Sequence, residues 1–292
     1  DTEALDVEGC EAFDELEVHG DFIAPQTRAF RYIFVQTGGD LAIGHIEALY
    51  EYLPLENKGD FRCDDERLNR IYEVALHTLH LNSREFFLDG IKRDHWVWSG
   101  DATQSYLLNF YSFNDNAICQ RTMRFLRGKD PLKTHMNTIQ DYTLYWFISL
   151  YDYYLYTNDT EFFLKMYPSA KKLMEEFCFK FVDERGFLVA QPGDWVFIDW
   201  VEMENRDKGD ISFIQILFTR ALEAMQVMAG IYGDTEGEQR YGRLSKDLLK
   251  KIIAKYNITL ISVGNGTASR ESEQFIVELL KEIPQKVQYV IV

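Results

Sequence analysis

Proline is scarce, 6 in 292 residues, and cysteine scarcer still, with 4. Cys10, Cys63, Cys119 and Cys178 lie far apart with no C-x-x-C pair, so their spacing argues for no disulfide framework. No cluster of His or carboxylate residues has the spacing of metal ligands, and neither a metal nor another cofactor is expected. No run approaches the ~18 apolar residues that a spanning helix needs, so a membrane is not expected as a partner. Positive charge is also short: 31 Lys and Arg face 47 Asp and Glu, a net charge of −16. Such a surface repels phosphate backbones, which argues against nucleic acid as a ligand of the whole chain.

Aromatic residues are abundant: 21 Phe, 17 Tyr and 5 Trp. Most must fill a core, but the same rings make platforms for sugars, whose pyranose C–H faces lie well against a π system. With 46% hydrophobic residues the chain is not a disordered one. It opens on Asp1 without a signal-peptide pattern. The compartment, cytoplasmic or periplasmic, stays open.

Three textures divide the chain. Residues 1–58 read as β, because Phe30, Tyr32 and Phe34 alternate with Arg31, Ile33 and Val35 before Thr37-Gly-Gly-Asp40, and His45 to Leu53 forms a second run. So few strands cannot stand alone and look like the end of a β-sandwich. Residues 59–255 carry helical periodicity. One helix starts after Asp64-Asp65, and others cover about 101–126, 139–156, 160–182, 210–230 and 237–255. The expected architecture is mainly α, three consecutive helical hairpins. Residues 256–292 change again: an apolar strand at 258–263, a glycine-bearing turn, a helix from Arg270 to Lys281 and a strand at 287–292 make a βαβ fragment that needs a parallel sheet.

The chemistry concentrates in Asp89-Gly-Ile-Lys-Arg-Asp-His-Trp-Val-Trp-Ser-Gly-Asp101, between two helices. Three carboxylates, an Arg, a His and two Trp in one loop suit glycoside cleavage. One carboxylic acid protonates the leaving oxygen, neighbouring charges tune it and hold sugar hydroxyls, and rings supply the floor. A surface loop with an Arg93–carboxylate pair is the plain alternative. A second stretch, Gly193-Asp-Trp-Val-Phe-Ile-Asp-Trp200, sets two Asp-Trp dipeptides five residues apart, an aromatic wall with hydroxyl acceptors. Trp146, among Tyr142, Tyr145 and Phe147, fits the core at least as well as a sugar site.

The first of these segments resembles the catalytic motif of the bacterial α-L-rhamnosidases, glycoside hydrolase family 78. Family forms carry Asp-Cys-Pro-x-Arg followed by acidic residues, where this chain has Asp89-Gly-Ile-Lys-Arg93-Asp94 and closes with Trp98-Ser-Gly-Asp101. The likeness extends to Ala29-Phe-Arg-Tyr32, Phe61-Arg-Cys-Asp64, Leu68-Asn69, Phe86-Phe-Leu-Asp89, Tyr153-Tyr-Leu-Tyr-Thr157 and the two Asp-Trp dipeptides, roughly residues 10–250. It implies a partial (α/α)6 barrel of six-hairpin glycosidase type and inverting hydrolysis of terminal α-L-rhamnosides, with a rhamnose-containing glycoside or oligosaccharide as partner. By the same resemblance Asp94 is the general acid, although many members place Glu there. Asp89, Arg93, Trp98, Asp101, Trp146, Asp194, Trp195 and Trp200 fall to substrate binding, and His95 is a weaker candidate for moving a proton.

Inversion also needs a second carboxylate to activate water. In the family that Glu lies late in the helical domain, and a barrel of six hairpins needs twelve helices where six are counted here. The unit is therefore read as a truncated one, with Glu202 and Glu204 as the only local substitutes for the base and little turnover expected. Phe163, Phe177 and Leu217 are expected to face an open side with too few partners. The alternatives are a carbohydrate-binding remnant that does not hydrolyse, and a chimeric chain with a nucleic-acid-associated tail. The latter rests on Thr259 to Glu271 and Tyr289 to Val292, which resemble an RNase-H-like segment of bacterial S1-type RNA-binding transcription accessory proteins.

Overall fold

The computed structural model describes residues 15–292 except 31, 41, 93, 199, 201–209 and 265–268, and the side chains of 269 and 271. It divides into two compact units, Asp1–Glu51 and Tyr52–Val292. In the first, the described residues form neither helix nor strand, and Phe30, Ile33 and Val35 are exposed. Among the described residues the strands expected at 28–36 and 45–53 are therefore not formed. Alternation gives a strand its two faces, but a ladder also requires a second backbone about 4.8 Å away, and no described segment of this unit supplies one.

The second unit is mostly helical: α1 (Glu66–Asn82), α2 (Ser99–Phe110), α3 (Asn116–Arg127), α4 (Gln140–Thr157), α5 (Thr160–Glu176), α6 (Ser212–Tyr232) and α7 (Thr235–Lys255). The single helix expected over 101–126 is two. Tyr111 to Asp115 breaks it, with Asn114 in the left-handed region and Asp115 accepting a hydrogen bond from the Ile118 N–H. A residue that can enter αL next to one that caps is a turn signal strong enough to interrupt an apolar period. The helix expected over 160–182 likewise stops at Glu176, and a short 3-10 turn, Cys178–Phe181, follows.

The helix starts fall into two classes. Asp65, Asp115, Asp159 and Asp234 cap α1, α3, α5 and α7, each accepting from a backbone N–H in the first turn. No side chain caps α2, α4 or α6 locally, where Trp98, Ile139 and Ile211 precede the first turn. Their first N–H groups look elsewhere for partners.

Helix α4 lies between α2 and α6, with α5 and α7 packed around them. Its hydrophobicity runs nearly all the way round, as a helix with neighbours on most sides requires. Trp146, Phe147, Phe163, Met174, Phe218, Met225 and Tyr241 fill one core. Phe163, Phe177 and Leu217 belong to this core and are not short of partners, which corrects the expectation for them. Phe163 stacks on Tyr154 at 4.5 Å and Phe177 meets His135 and Phe181. The open stripes lie on other turns of the same array: Leu108 and Tyr111 at the end of α2, Leu155 on α4 and Ile216 on α6. The fold is thus part of an (α/α) barrel. Among the described residues no helix is long and apolar enough to cross a membrane.

The last segment forms the expected βαβ unit. Strands β1 (Leu260–Val263) and β2 (Gln288–Ile291) pair in parallel, Leu260 with Gln288, and α8 (Ser269–Lys281) makes the crossover. It closes against α7 through Ile253, Leu279 and Ile283. Lys246 and Lys250 both reach Glu282, at 2.5 and 2.6 Å, and their hydrogen bonds hold its carboxyl down to about 2.

Candidate functional site

Loop 89–98 is tied into a small ring. Asp89 and Trp96 exchange backbone and side-chain hydrogen bonds: the Asp89 N–H donates to the Trp96 carbonyl at 3.0 Å, and the Trp96 N–H donates to Asp89 Oδ1 at 3.0 Å. His95 sits at φ 50° with Nε2 against the Ile91 carbonyl. Asp94 is exposed on the turn inside this ring. Arg93, Asp199, Glu202 and Glu204 lie outside the described residues.

The 3-10 turn Met136–Thr138 is the hinge between this loop and the next. Asn137 Nδ2 donates to the Val97 carbonyl and its Oδ1 accepts from the Ser99 N–H, both at 2.9 Å. A side chain from another part of the chain thereby caps α2. The start of α4 is satisfied in the same tertiary manner, since the Gln140 N–H donates to the Trp195 carbonyl at 2.9 Å. Asp141, fully buried in the first turn of α4, accepts from the Phe197 and Ile198 N–H groups at 3.1 and 3.2 Å. Loops 89–101 and 193–200 thus meet at the N-terminal ends of α2 and α4. Asn137, Thr138 and Ile198 all have positive φ, as His95 does. Asn and His enter this region readily, but it is costly for the β-branched Thr138 and Ile198.

Tyr142 stands at the junction. Its hydroxyl donates to Asp101 Oδ2 at 3.1 Å. Its ring meets Trp98 edge-on at 6.2 Å and Phe197 at 5.8 Å. Beyond Phe197 stand Trp200 at 5.1 Å and Trp195 at 5.6 Å, both exposed. The result is an aromatic wall that Tyr142 joins to the Asp101 carboxylate. Asp101 is half-buried, and that burial pushes its carboxyl above the usual range; the negative charges of Asp89 and Asp94 add to the push and the Tyr142 hydrogen bond opposes it.

Two expected site residues are placed differently. Trp146 is 1% exposed, and its indole N–H donates to the Met123 carbonyl at 2.8 Å. A ring with no free face cannot carry a sugar, so Trp146 is core and not a substrate contact. Asp194 turns back into its own loop, where Oδ2 accepts from the Gln191 N–H at 2.8 Å. Its other neighbour is His135 Nε2 at 3.8 Å. This contact is not an ion pair near neutrality: burial drives the His135 imidazole down to about 4 against the opposing pull of Asp194. Asn137, Asp141 and Tyr142 were not foreseen as site residues, because what makes them important is contact with segments about 40 to 57 positions away. The one local signal was a polar pair, Gln140-Asp141, opening an aromatic helix. Among the described residues no group of three or more His, Cys, Asp or Glu could hold a metal ion.

Comparison with known proteins finds the model of the bacterial alpha-L-rhamnosidase 6 hairpin glycosidase domain matching residues 56–288. A crystal structure of the GH78 rhamnosidase of Bacillus sp. GL1 superposes with a TM-score of 0.61 and 23% identity, covering 69% of this chain and 22% of that one. A rhamnosidase from Klebsiella oxytoca with rhamnose bound gives 0.56 and 20%, over 78% of this chain and 49% of that one. The α-L-rhamnosidase of Dictyoglumus thermophilum gives 0.52 and 16%, over 69% and 24%. At these identities the likeness is one of fold. A 44-residue stretch, 15% of the chain, is 54% identical to the uncharacterized protein YdcI of Bacillus subtilis (strain 168), of which it spans 6%. The chain thus spans a small part of that curated relative and less than half of each solved rhamnosidase. The resemblance of the tail to an RNase-H-like segment finds no support in these matches, and the family model runs through it to residue 288.

Proposed function

This chain belongs to the bacterial α-L-rhamnosidase six-hairpin glycosidase family, and from that premise we propose that it binds terminal α-L-rhamnosides and takes part in their inverting hydrolysis. The reading is supported above all by one observation: the acidic loop 89–101 and the aromatic loop 193–200 converge on Tyr142. A pyranose needs both kinds of surface at once, rings against its C–H face and carboxylates for its hydroxyls.

In this reading Trp98, Trp195 and Trp200 give the floor and wall, and Asp89, Arg93 and Asp101 accept or orient the sugar hydroxyls. Asp94 protonates the departing glycosidic oxygen. It stands exposed on its turn, open to a leaving group from solvent, with Asp89 and Asp101 in the same acidic group. The N-terminal ends of α2 and α4 favour negative charge nearby, which suits a site built on carboxylates. Water attacks from the opposite face through a second carboxylate ~6.5–9.5 Å from the acid.

Calorimetric titration with L-rhamnose, together with release of p-nitrophenol from its aryl α-L-rhamnoside, tests the reading. Binding that Trp200→Ala and Asp101→Asn both weaken at least tenfold supports it. If turnover is present, Asp94→Asn should slow an unactivated rhamnoside by orders of magnitude and the aryl substrate far less, because a good leaving group needs little protonation. Saturable binding without turnover selects a carbohydrate-binding role. The absence of both binding and turnover at millimolar sugar refutes the proposal.

A further inference from the structure

We propose that Tyr142 is the positioning residue of this site: it holds the Asp101 carboxylate in register with the aromatic wall of loop 193–200, so that one sugar ring meets both surfaces. The inference rests on the rhamnoside reading above and deepens it. Its basis is the grip that two adjacent residues of α4 exert on two loops. Asp141 takes the backbone of Phe197 and Ile198, and Tyr142 takes Asp101 Oδ2 at 3.1 Å. The Tyr142 ring is itself held by Trp98 on one side and Phe197 on the other. Below it lies Gly100, where any Cβ would stand 2.4 Å from the ring. The phenol therefore has one place to be, and a rigid donor in one place fixes its acceptor.

The electrostatic consequence is specific. The titratable groups facing Asp101 are Asp89 and Asp94 from its own loop and Tyr142 from α4, with Asp141 and Tyr145 behind Tyr142. Burial and the two carboxylates favour the protonated acid, and the Tyr142 hydroxyl is the neighbouring side-chain donor that favours the anion. A Tyr142→Phe change keeps the ring and removes only that donor.

The test measures two things in parallel on the parent and on Tyr142→Phe. One is the titration of the Asp101 carboxyl by NMR with 13C-labelled aspartate, assigned with Asp101→Asn. The other is the affinity for L-rhamnose by calorimetry from pH 4.5 to 8. Tyr142→Phe should move the Asp101 titration to higher pH. Its affinity should fall about tenfold on the acid side, as loss of a hydrogen bond to a charged group implies, and the gap should narrow without closing as pH rises and Asp101 ionises in both proteins. A packing role alone would give a loss independent of pH, which would overturn the proposal, as would an unmoved Asp101 titration. If the parent binds no L-rhamnose, the rhamnoside reading fails by itself and the carboxyl titration still decides whether Tyr142 controls Asp101. Should Tyr142→Phe not fold, Asp101→Asn supplies the reciprocal measurement. The 13Cζ resonance of Tyr142, which reports the hydrogen bond its hydroxyl donates to Asp101, should move at neutral pH in that variant, and an unmoved resonance overturns the proposal.

Discussion

Gly100→Ala is the sharpest probe of how this site is held. Gly100 lies in the first turn of α2, where alanine is the better helix former, and its backbone has no left-handed φ. On local grounds the change should stabilise by roughly 0.5–1 kcal/mol. The tertiary contact reverses that sign. The new methyl would stand 2.4, 2.7 and 2.9 Å from three atoms of the Tyr142 ring, where carbon contacts settle near ~3.5–4.0 Å. The ring must retreat by about 1 Å, and Trp98 and Phe197 flank it. Overpacking of this kind costs about 1–3 kcal/mol. Set against the helix gain, the net loss is about 1 kcal/mol, a fall in Tm of roughly 2–4 °C for a domain of this size. A shift of that length also takes the Tyr142 hydroxyl, now 3.1 Å from Asp101, beyond hydrogen-bonding distance. The assays are thermal unfolding followed by circular dichroism and calorimetric titration with L-rhamnose, with Gly90→Ala as control. Gly90 has nothing within 4 Å of its added Cβ, so its Tm should stay within about 1 °C of the parent. A Gly100→Ala protein as stable as the parent, or more so, would refute the reasoning, because helix propensity would then have outweighed the contact.

Asp141→Ala should cost about 3 kcal/mol and weaken L-rhamnose binding, since it leaves the Phe197 and Ile198 N–H groups without their acceptor. Unaltered urea midpoint and affinity would contradict that role. Trp146→Ala should destabilise by about 3–5 kcal/mol without changing the affinity of the molecules that remain folded; a selective loss of sugar binding at full stability would restore Trp146 to the site. His135 should show no imidazole titration by NMR until the pH nears about 4. Its proton binds more readily to the unfolded chain, whose histidine titrates near ~6.5, so its contribution is complete above that pH and is lost as pH falls toward 4, about 3 kcal/mol in all. A His135 resonance that titrates near 6.5 in the folded protein would refute this.

Much of the helical array was legible from local chemistry. Asp65, Asp159 and Asp234 announce helix starts because a carboxylate can satisfy a first-turn N–H from a position one residue outside. Asn158 and Gly233 announce stops because they accept the left-handed backbone that ends a helix. The βαβ tail was legible for the same reason, its strands and crossover helix being separated by turn residues. The two loops proposed to form the site were visible as well, since ionisable and aromatic groups at that density between helices have little structural use. What stayed hidden depends on where distant segments meet. Trp146 and Trp200 have the same side chain and both sit beside other aromatics in sequence, yet one is 1% exposed and the other 77%. The difference lies in α4 having helices packed on both flanks while residue 200 sits at the edge of a loop.

The sequence alone determined which residues can make this chemistry and which backbone segments turn helical, because propensity, period and capping act within a few residues. Only the tertiary structure decided that Asn137 caps α2, that Asp141 holds loop 193–200 and that Tyr142 reaches Asp101. Each of these joins groups about 40 or more positions apart, and their approach depends on the packing of α2 against α4, which no local preference encodes.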